Sequence, residues 1–257
     1  MILEILKSKQ SLYLKIIDSK VFGLVSKVRN GTIYKVRKKV FHFYNEMLKD
    51  YPVGTIIDVG ASIGNLTYYF LKLRYRVFSI EASPKRFKVL SARFNSYSKF
   101  NALNSIVSDE KGIIDFYENS HNGGFSSINR KWVKITEEKF AAPSILMQLP
   151  SNTLNDIIRP YKDIVYLKID VEGAEELVLS TLTTPIPIIS IEANLPDYRD
   201  ETLRCVEKIN FISSDYQYNY AINYKLVENN WMNYNEIMLK VYLINESVDL
   251  FAKIPKK

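Results

Sequence analysis

Ile57-Asp58-Val59-Gly60-Ala61-Ser62-Ile63-Gly64 runs from an apolar stretch into two glycines, and Asn65-Leu66-Thr67-Tyr68-Tyr69-Phe70 follows at once. A strand that ends near Asp58, turns through Gly60 and Gly64 and enters a helix sets the turn at the carboxyl edge of a sheet. Open α/β sheets bind ligands there. Glycine permits close backbone approach, and the free amides at the start of the following helix favour a negative group such as a carboxylate or phosphate. A tight turn with no ligand has the same local sequence, so the neighbouring segments decide.

Outward from this loop, short apolar runs alternate with helical stretches, the pattern of βαβ units and a mostly parallel sheet. Strands are predicted at Thr55 to Val59, Arg76 to Ile80, Lys99 to Val107, Ile164 to Ile169 and Ile186 to Ile191. Helices are predicted at Tyr34 to Leu48, Leu66 to Leu73, Pro84 to Asn95, Ala174 to Leu182 and Glu201 to Ile209, the last capped by Asp200. Residues from about 109 to 151 interrupt the repeat as an insertion over the sheet's edge or active-site face. Within it, Ile113 to Tyr117 reads as an extra strand and His121-Asn122-Gly123-Gly124 as a turn. After Phe211 the chain is Tyr-rich and strand-like, ending in Val248 to Ile254 as an antiparallel finish to the sheet.

The chain has 257 residues, 47% hydrophobic and 25% charged, enough for one full core. No apolar run reaches the roughly 18 to 20 residues of a membrane span, and the first residues lack a signal peptide's charge order, so a cytoplasmic protein is expected. One cysteine, Cys205, rules out an internal disulfide, and two histidines, His42 and His121, leave little for a histidine-rich metal centre. Residues 1–50 hold eleven basic and four acidic residues, the whole of the net +7, and residues 51–257 balance at 24 of each. The division is therefore a basic helical arm over 1–50 and a catalytic domain over 51–257. Leu14, Ile17, Val21, Leu24, Val25 and Val28 give the arm an apolar stripe at helical spacing. Packing on the domain or mediating a homodimer is the plain reading; peripheral contact with an acidic membrane face is the other. The neutral domain lacks the wide basic face that a nucleic-acid partner requires.

The loop departs from G-x-G-x-x-G, so a dinucleotide's pyrophosphate cradle lacks two glycines. Glu81 ends the second strand, where an acid takes ribose hydroxyls in nicotinamide and S-adenosylmethionine sites alike. Further on, Lys168-Ile169-Asp170-Val171-Glu172-Gly173-Ala174-Glu175 delivers three acids to the same edge, and Glu192-Ala193-Asn194 follows the next strand. Clustered acids repel one another, so a structural or chemical use must compensate.

These segments resemble the FkbM family of methyltransferases. Asp58 to Thr67 is similar to its D-V-G-A-N-x-G-x-x-T motif, with Ser62 where Asn is usual; Glu81 to Pro84 is similar to its E-P-x-P strand end, with Ala82 for proline; Lys168 to Glu175 carries its K-I-D-V-E-G-A-E motif intact. The resemblance spans about Thr55 to Asn194. It implies a class I Rossmann-like methyltransferase fold, S-adenosylmethionine as cofactor, and methyl transfer to a hydroxyl of a polysaccharide or glycolipid sugar or of a natural product. By position it places Asp58, Gly60, Ala61, Ser62, Gly64, Asn65 and Thr67 around the methionine end of the cofactor. Glu81 and Ala82 fall at the ribose, Ile106 at the adenine, and Asp170 beside them.

For the chemistry, an alcohol must lose a proton as it attacks, and a carboxylate within reach accepts it. Asp170 or Glu172 is the candidate base, with Glu192 and Asn194 orienting the acceptor; alternatively Glu172 and Glu175 brace the helix that follows. A divalent cation shared by Asp170 and Glu192 is chemically reasonable. Tyr216, Tyr218, Tyr220, Tyr224, Trp231 and Tyr234 offer flat faces for sugars, or are what a half-exposed strand contains. A saccharide methyltransferase, a natural-product methyltransferase and a non-catalytic cofactor-binding scaffold are the three expectations, in that order.

Overall fold

The computed structural model describes residues 31–119 and 123–256. The amphipathic stripe of residues 14–28 and His121 lie outside the described residues. Along the chain the strands are β1 (Thr55–Val59), β2 (Arg76–Glu81), β3 (Phe100–Asn104), β4 (Ile106–Ser108), β5 (Gly112–Asn119), β6 (Ser144–Thr153), β7 (Ile164–Ile169), β8 (Ile188–Ala193), β9 (Gln217–Ala221) and β10 (Val248–Lys253). Helices α1 (Gly31–Leu48), α2 (Asn65–Lys72), α3 (Pro84–Phe94), α4 (Arg130–Phe140), α5 (Leu154–Ile158), α6 (Glu175–Ser180), α7 (Arg199–Ile212) and α8 (Tyr234–Leu243) accompany them.

Seven strands form one sheet in the order β3-β2-β1-β7-β8-β10-β9. It is mostly parallel, with β10 antiparallel to both of its neighbours, as the sequence predicts. The central strands are covered on both faces, which is why β1 (Thr-Ile-Ile-Asp-Val) is buried throughout and reads as a continuous apolar run. Ser83 starts α3 by accepting the Arg86 N–H, with Pro84 at the first helical position. Helix α1, in the basic arm, buries Val40, Phe43, Tyr44, Met47 and Leu48 in the core. Tyr44 meets Phe70 edge-on at 5.0 Å, and Phe43 meets Phe251 at 5.5 Å. No described helix is long and apolar enough to cross a membrane.

Four expectations are corrected. The single strand over Lys99 to Val107 breaks at Ser105, whose buried hydroxyl donates to the carbonyls of Ile106 and Pro150. Residues before the break stay at the edge of the large sheet, whereas β4 joins a second sheet, β4-β6-β5. The insertion holds α4 and the ten-residue β6 besides the predicted extra strand, which lengthens to β5. Asp200 does not cap α7: Tyr198 occupies that position without a side-chain bond, and Asp200 lies in the first turn. The tail contains α8, opened by a reciprocal capping box between Asn233 and Glu236.

Candidate active site

The loop after β1 builds one wall of a cavity at the carboxyl edge of the sheet. Gly60 and Gly64 have φ of +79° and +81°, and Ser62 is also left-handed. Gly60 is forced: a β-carbon there would stand 1.7 Å from the Asp170 carbonyl oxygen. A side chain at Gly64 would instead strike Phe94 and Leu90 of α3. Of the residues placed by sequence, Gly60, Ser62, Glu81, Ala82, Ile106, Asp170 and Glu172 line the cavity. Asp58, Ala61, Gly64, Asn65 and Thr67 stand behind it. Thr67 donates to Asp58 at 2.7 Å, and Arg93 donates to Asn65 at 3.2 Å and to the Ile63 carbonyl at 2.8 Å.

Glu81 sits at the end of β2 with one carboxylate oxygen accepting the Ser62 N–H at 2.7 Å and the other the Ser83 N–H at 2.8 Å. Burial raises its pKa, and these two amides oppose the rise. Beside it are Arg86, which donates to the Ser62 hydroxyl, and an apolar floor of Ile80, Ile106 and Val107. A buried acid with free lone pairs, next to an apolar slot and a glycine backbone, fits an adenosine whose ribose meets Glu81.

Opposite, β7 ends in the carboxylate segment. Lys168 is 5% exposed and donates to Asp170 at 2.8 Å, with Asp58 at 3.9 Å. Burial alone would lower its pKa, yet Asp170 and Asp58 hold it above the ordinary lysine value. Burial outweighs the lysine at Asp58 and raises that carboxyl. Asp170, Glu172 and Glu192 each offer an oxygen within 4.8 Å of the others. Burial, with Glu192 and Asp170 adding to it, pushes Glu172 up to about 10. Burial and Asp170 push Glu192 up to about 8. Such a group either holds protons or suits a hard divalent cation, whose ligands are oxygens. Glu175 turns away from this group: it accepts the N–H groups of Val171 (3.0 Å) and Gly173 (3.3 Å) and braces the loop before α6. Asn194 donates to Glu192 at 3.0 Å and accepts from Ser247.

Glu172 has φ of 59°, an uncommon conformation for a long side chain. The insertion pins it. The Ser127 hydroxyl donates to the Glu172 carbonyl at 2.8 Å and Asn129 donates to the Gly173 carbonyl. Ser126, Ser127, Ile128 and Phe116 bring the insertion onto the cavity, the second of the two places the sequence allows it, although these four residues carry no signal of their own. Asp249 was also missed. It pairs in register with Glu192 across β10 and β8, and burial raises it to about 6. Of the tail tyrosines, Tyr216, Tyr218 and Tyr220 are buried, and the Tyr216 hydroxyl is bonded to the Ile186 backbone.

A seven-stranded sheet in this order, with one antiparallel strand and a cavity at its carboxyl edge, is the architecture of a class I S-adenosylmethionine-dependent methyltransferase. Residues 58–225 match the Methyltransferase FkbM domain, and the chain belongs to that family. No curated protein matches the sequence. Among solved structures, it is similar to the precorrin-6y C5,15-methyltransferase of Geobacter metallireducens GS-15, with 11% identity, 86% of this chain and 89% of that one covered, and a TM-score of 0.42. It is also similar to the methyltransferase domain of bacterial CtHen1, with 8% identity, 86% and 100% covered, and a TM-score of 0.46. Both are distant likenesses.

Proposed function

We propose that this methyltransferase acts on a hydroxyl group of a saccharide. The observation that supports hydroxyl chemistry is the group formed by Asp170, Glu172 and Glu192, of which the first two line the cofactor cavity, and the saccharide class follows the family resemblance. Bound S-adenosylmethionine supplies an electrophilic methyl group, and the protein's task is to align a hydroxyl oxygen with it and to accept the proton. Gly60 and Ser62 receive the methionine end, with Asp58, Ala61, Gly64, Asn65 and Thr67 holding that loop in shape. Glu81 binds the ribose, Ala82 lies beside it, and Ile106 flanks the adenine. Asp170, ion-paired with Lys168, is the carboxylate that takes the hydroxyl proton. Glu172, protonated near neutral pH, donates to the acceptor instead of competing as base. Glu192 and Asn194 orient the acceptor's other oxygens.

The test is the release of S-adenosylhomocysteine with a panel of oligosaccharide acceptors. Asp170→Ala and Glu172→Ala should abolish turnover while calorimetry still detects S-adenosylhomocysteine binding. Full activity in both variants overturns the assignment. Turnover on phenolic or polyketide hydroxyls but on no sugar overturns the acceptor class.

A further inference from the structure

A second concavity, of about 850 Å3, lies on the flank of α1, away from the cofactor cavity. One end is at Tyr224, in the turn that follows Ala221, and Ala221 pairs in register with Asp249, itself opposite Glu192. The other is at Lys253, which faces the first residue of β8, and at Lys256 just beyond. The concavity thus extends from beside the carboxylates to the amino edge of the sheet, about 20 Å for a six-residue strand.

Its walls combine two kinds of surface. Phe43, Tyr51, Tyr224 and Trp231 give aromatic faces, and Lys39, Lys225, Lys253 and Lys256 give positive charge. Lys253 lies 4.0 Å from the Trp231 ring centroid and Lys256 5.3 Å from that of Tyr51, so cation and ring are presented together. Among the described residues none of these four lysines forms an ion pair. Of the two acids in the lining, Glu46 and Asp50, the first is bonded to Lys49 at 2.7 Å. Burial lowers the pKa of Lys253, Asp50 in the lining opposes part of that fall, and an anion in the groove would oppose it further.

Tyr224 is held there against its backbone preference. Asn223 and Tyr224 have φ of 50° and 58°, and Ile222 and Lys225 exchange both backbone hydrogen bonds around them. A two-residue turn of this form favours Asn-Gly, and a tyrosine at its second position is an outlier of the kind that marks functional sites. The ring packs against Phe43 and Tyr44, each 6.3 Å between centroids.

We infer that this groove binds an anionic glycan, a sugar chain bearing carboxylate or phosphate groups, and leads it toward the catalytic carboxylates. Aromatic faces meet sugar C–H surfaces, and lysines meet the anions. The inference rests on the saccharide reading for its direction, but its test needs no methyl transfer. Full-length protein is titrated calorimetrically with an oligogalacturonate, a neutral malto-oligosaccharide of equal length and a single-stranded oligonucleotide. The uronate should bind, more weakly at higher salt, and about tenfold more tightly than the neutral sugar. The double variant Lys253→Glu, Lys256→Glu should lose about tenfold in uronate affinity, with S-adenosylhomocysteine binding unchanged as the control for folding. Absence of uronate binding, equal binding by the double variant, or equally tight binding of the oligonucleotide overturns the proposal. Binding without methylation of any sugar leaves the groove standing and overturns the acceptor class.

Discussion

The backbones of Gly60 and Asp170 touch: the space for a side chain on the first is filled by the carbonyl oxygen of the second. The Asp170 N–H also donates to the Val59 carbonyl at 3.0 Å, so the cofactor loop and the carboxylate segment are one rigid unit. Gly60→Ala meets both a collision and an unfavourable φ. It should lower stability by roughly 3 kcal/mol or more and abolish S-adenosylhomocysteine binding. Thermal unfolding and calorimetry check both, and an unchanged melting temperature would contradict the contact.

Glu81→Gln keeps the size of the side chain and removes the charge-assisted bonds to a ribose. Affinity for S-adenosylhomocysteine should fall by about tenfold to a hundredfold, the worth of one or two such bonds, and the melting temperature should fall as well, because the new amide NH2 cannot accept one of the two N–H groups that the carboxylate accepts. Calorimetric titration of the two proteins side by side measures it.

The raised carboxyl at Glu172 makes stability depend on pH in a stated direction. Between the ordinary glutamate value and about 10, the folded protein holds a proton that the unfolded chain has released, so stability falls as pH rises through this window. Glu172→Gln removes the share of that dependence due to Glu172 and leaves those of Glu192 and Asp249. Its melting temperature should exceed that of the unsubstituted protein at pH 8 to 9, and the gap should close toward pH 4. Repeating the series with and without magnesium separates proton from cation, because a bound cation flattens the slope.

Much of this architecture was legible in the sequence. β1 and β7 have their predicted ends, since strands buried on both faces are continuous apolar runs bounded by Gly and Asp. Asp170, Glu172 and Glu192 converge because parallel strands carry their carboxyl ends to one edge. The second sheet was not legible. Its partners, Ile106 to Ser108 and Ser151 to Thr153, lie more than 40 residues apart, too far for the turn predicted between them to set their pairing. Nor was the role of Ser127 and Asn129, two polar residues whose value depends on carbonyls brought to them by a distant strand. Asp249 was invisible for a related reason: only its register opposite Glu192 sets it beside the site.

Those two insertion contacts are themselves testable. Ser127→Ala removes one bond to the left-handed segment at Glu172 and should cost about 1 kcal/mol, whereas Asn129→Ala removes the bond to Gly173 and also the cap of α4, where its side chain accepts the Lys131 and Trp132 N–H groups, and should cost more. Turnover should fall more than stability, because Glu172 loses its fixed direction, and cofactor affinity should change little. A loss of stability with no change in turnover would make these contacts purely structural.

Strand β10 lies between β8 and β9, although it follows both in the chain. During synthesis β8 therefore emerges with an open edge of unpaired backbone groups, and Glu192 waits there without its cross-strand neighbour. Residues 248–253 must leave the ribosome before that edge closes and Asp249 arrives. The pairing that closes this edge thus comes from residues made after both of its neighbours in the sheet.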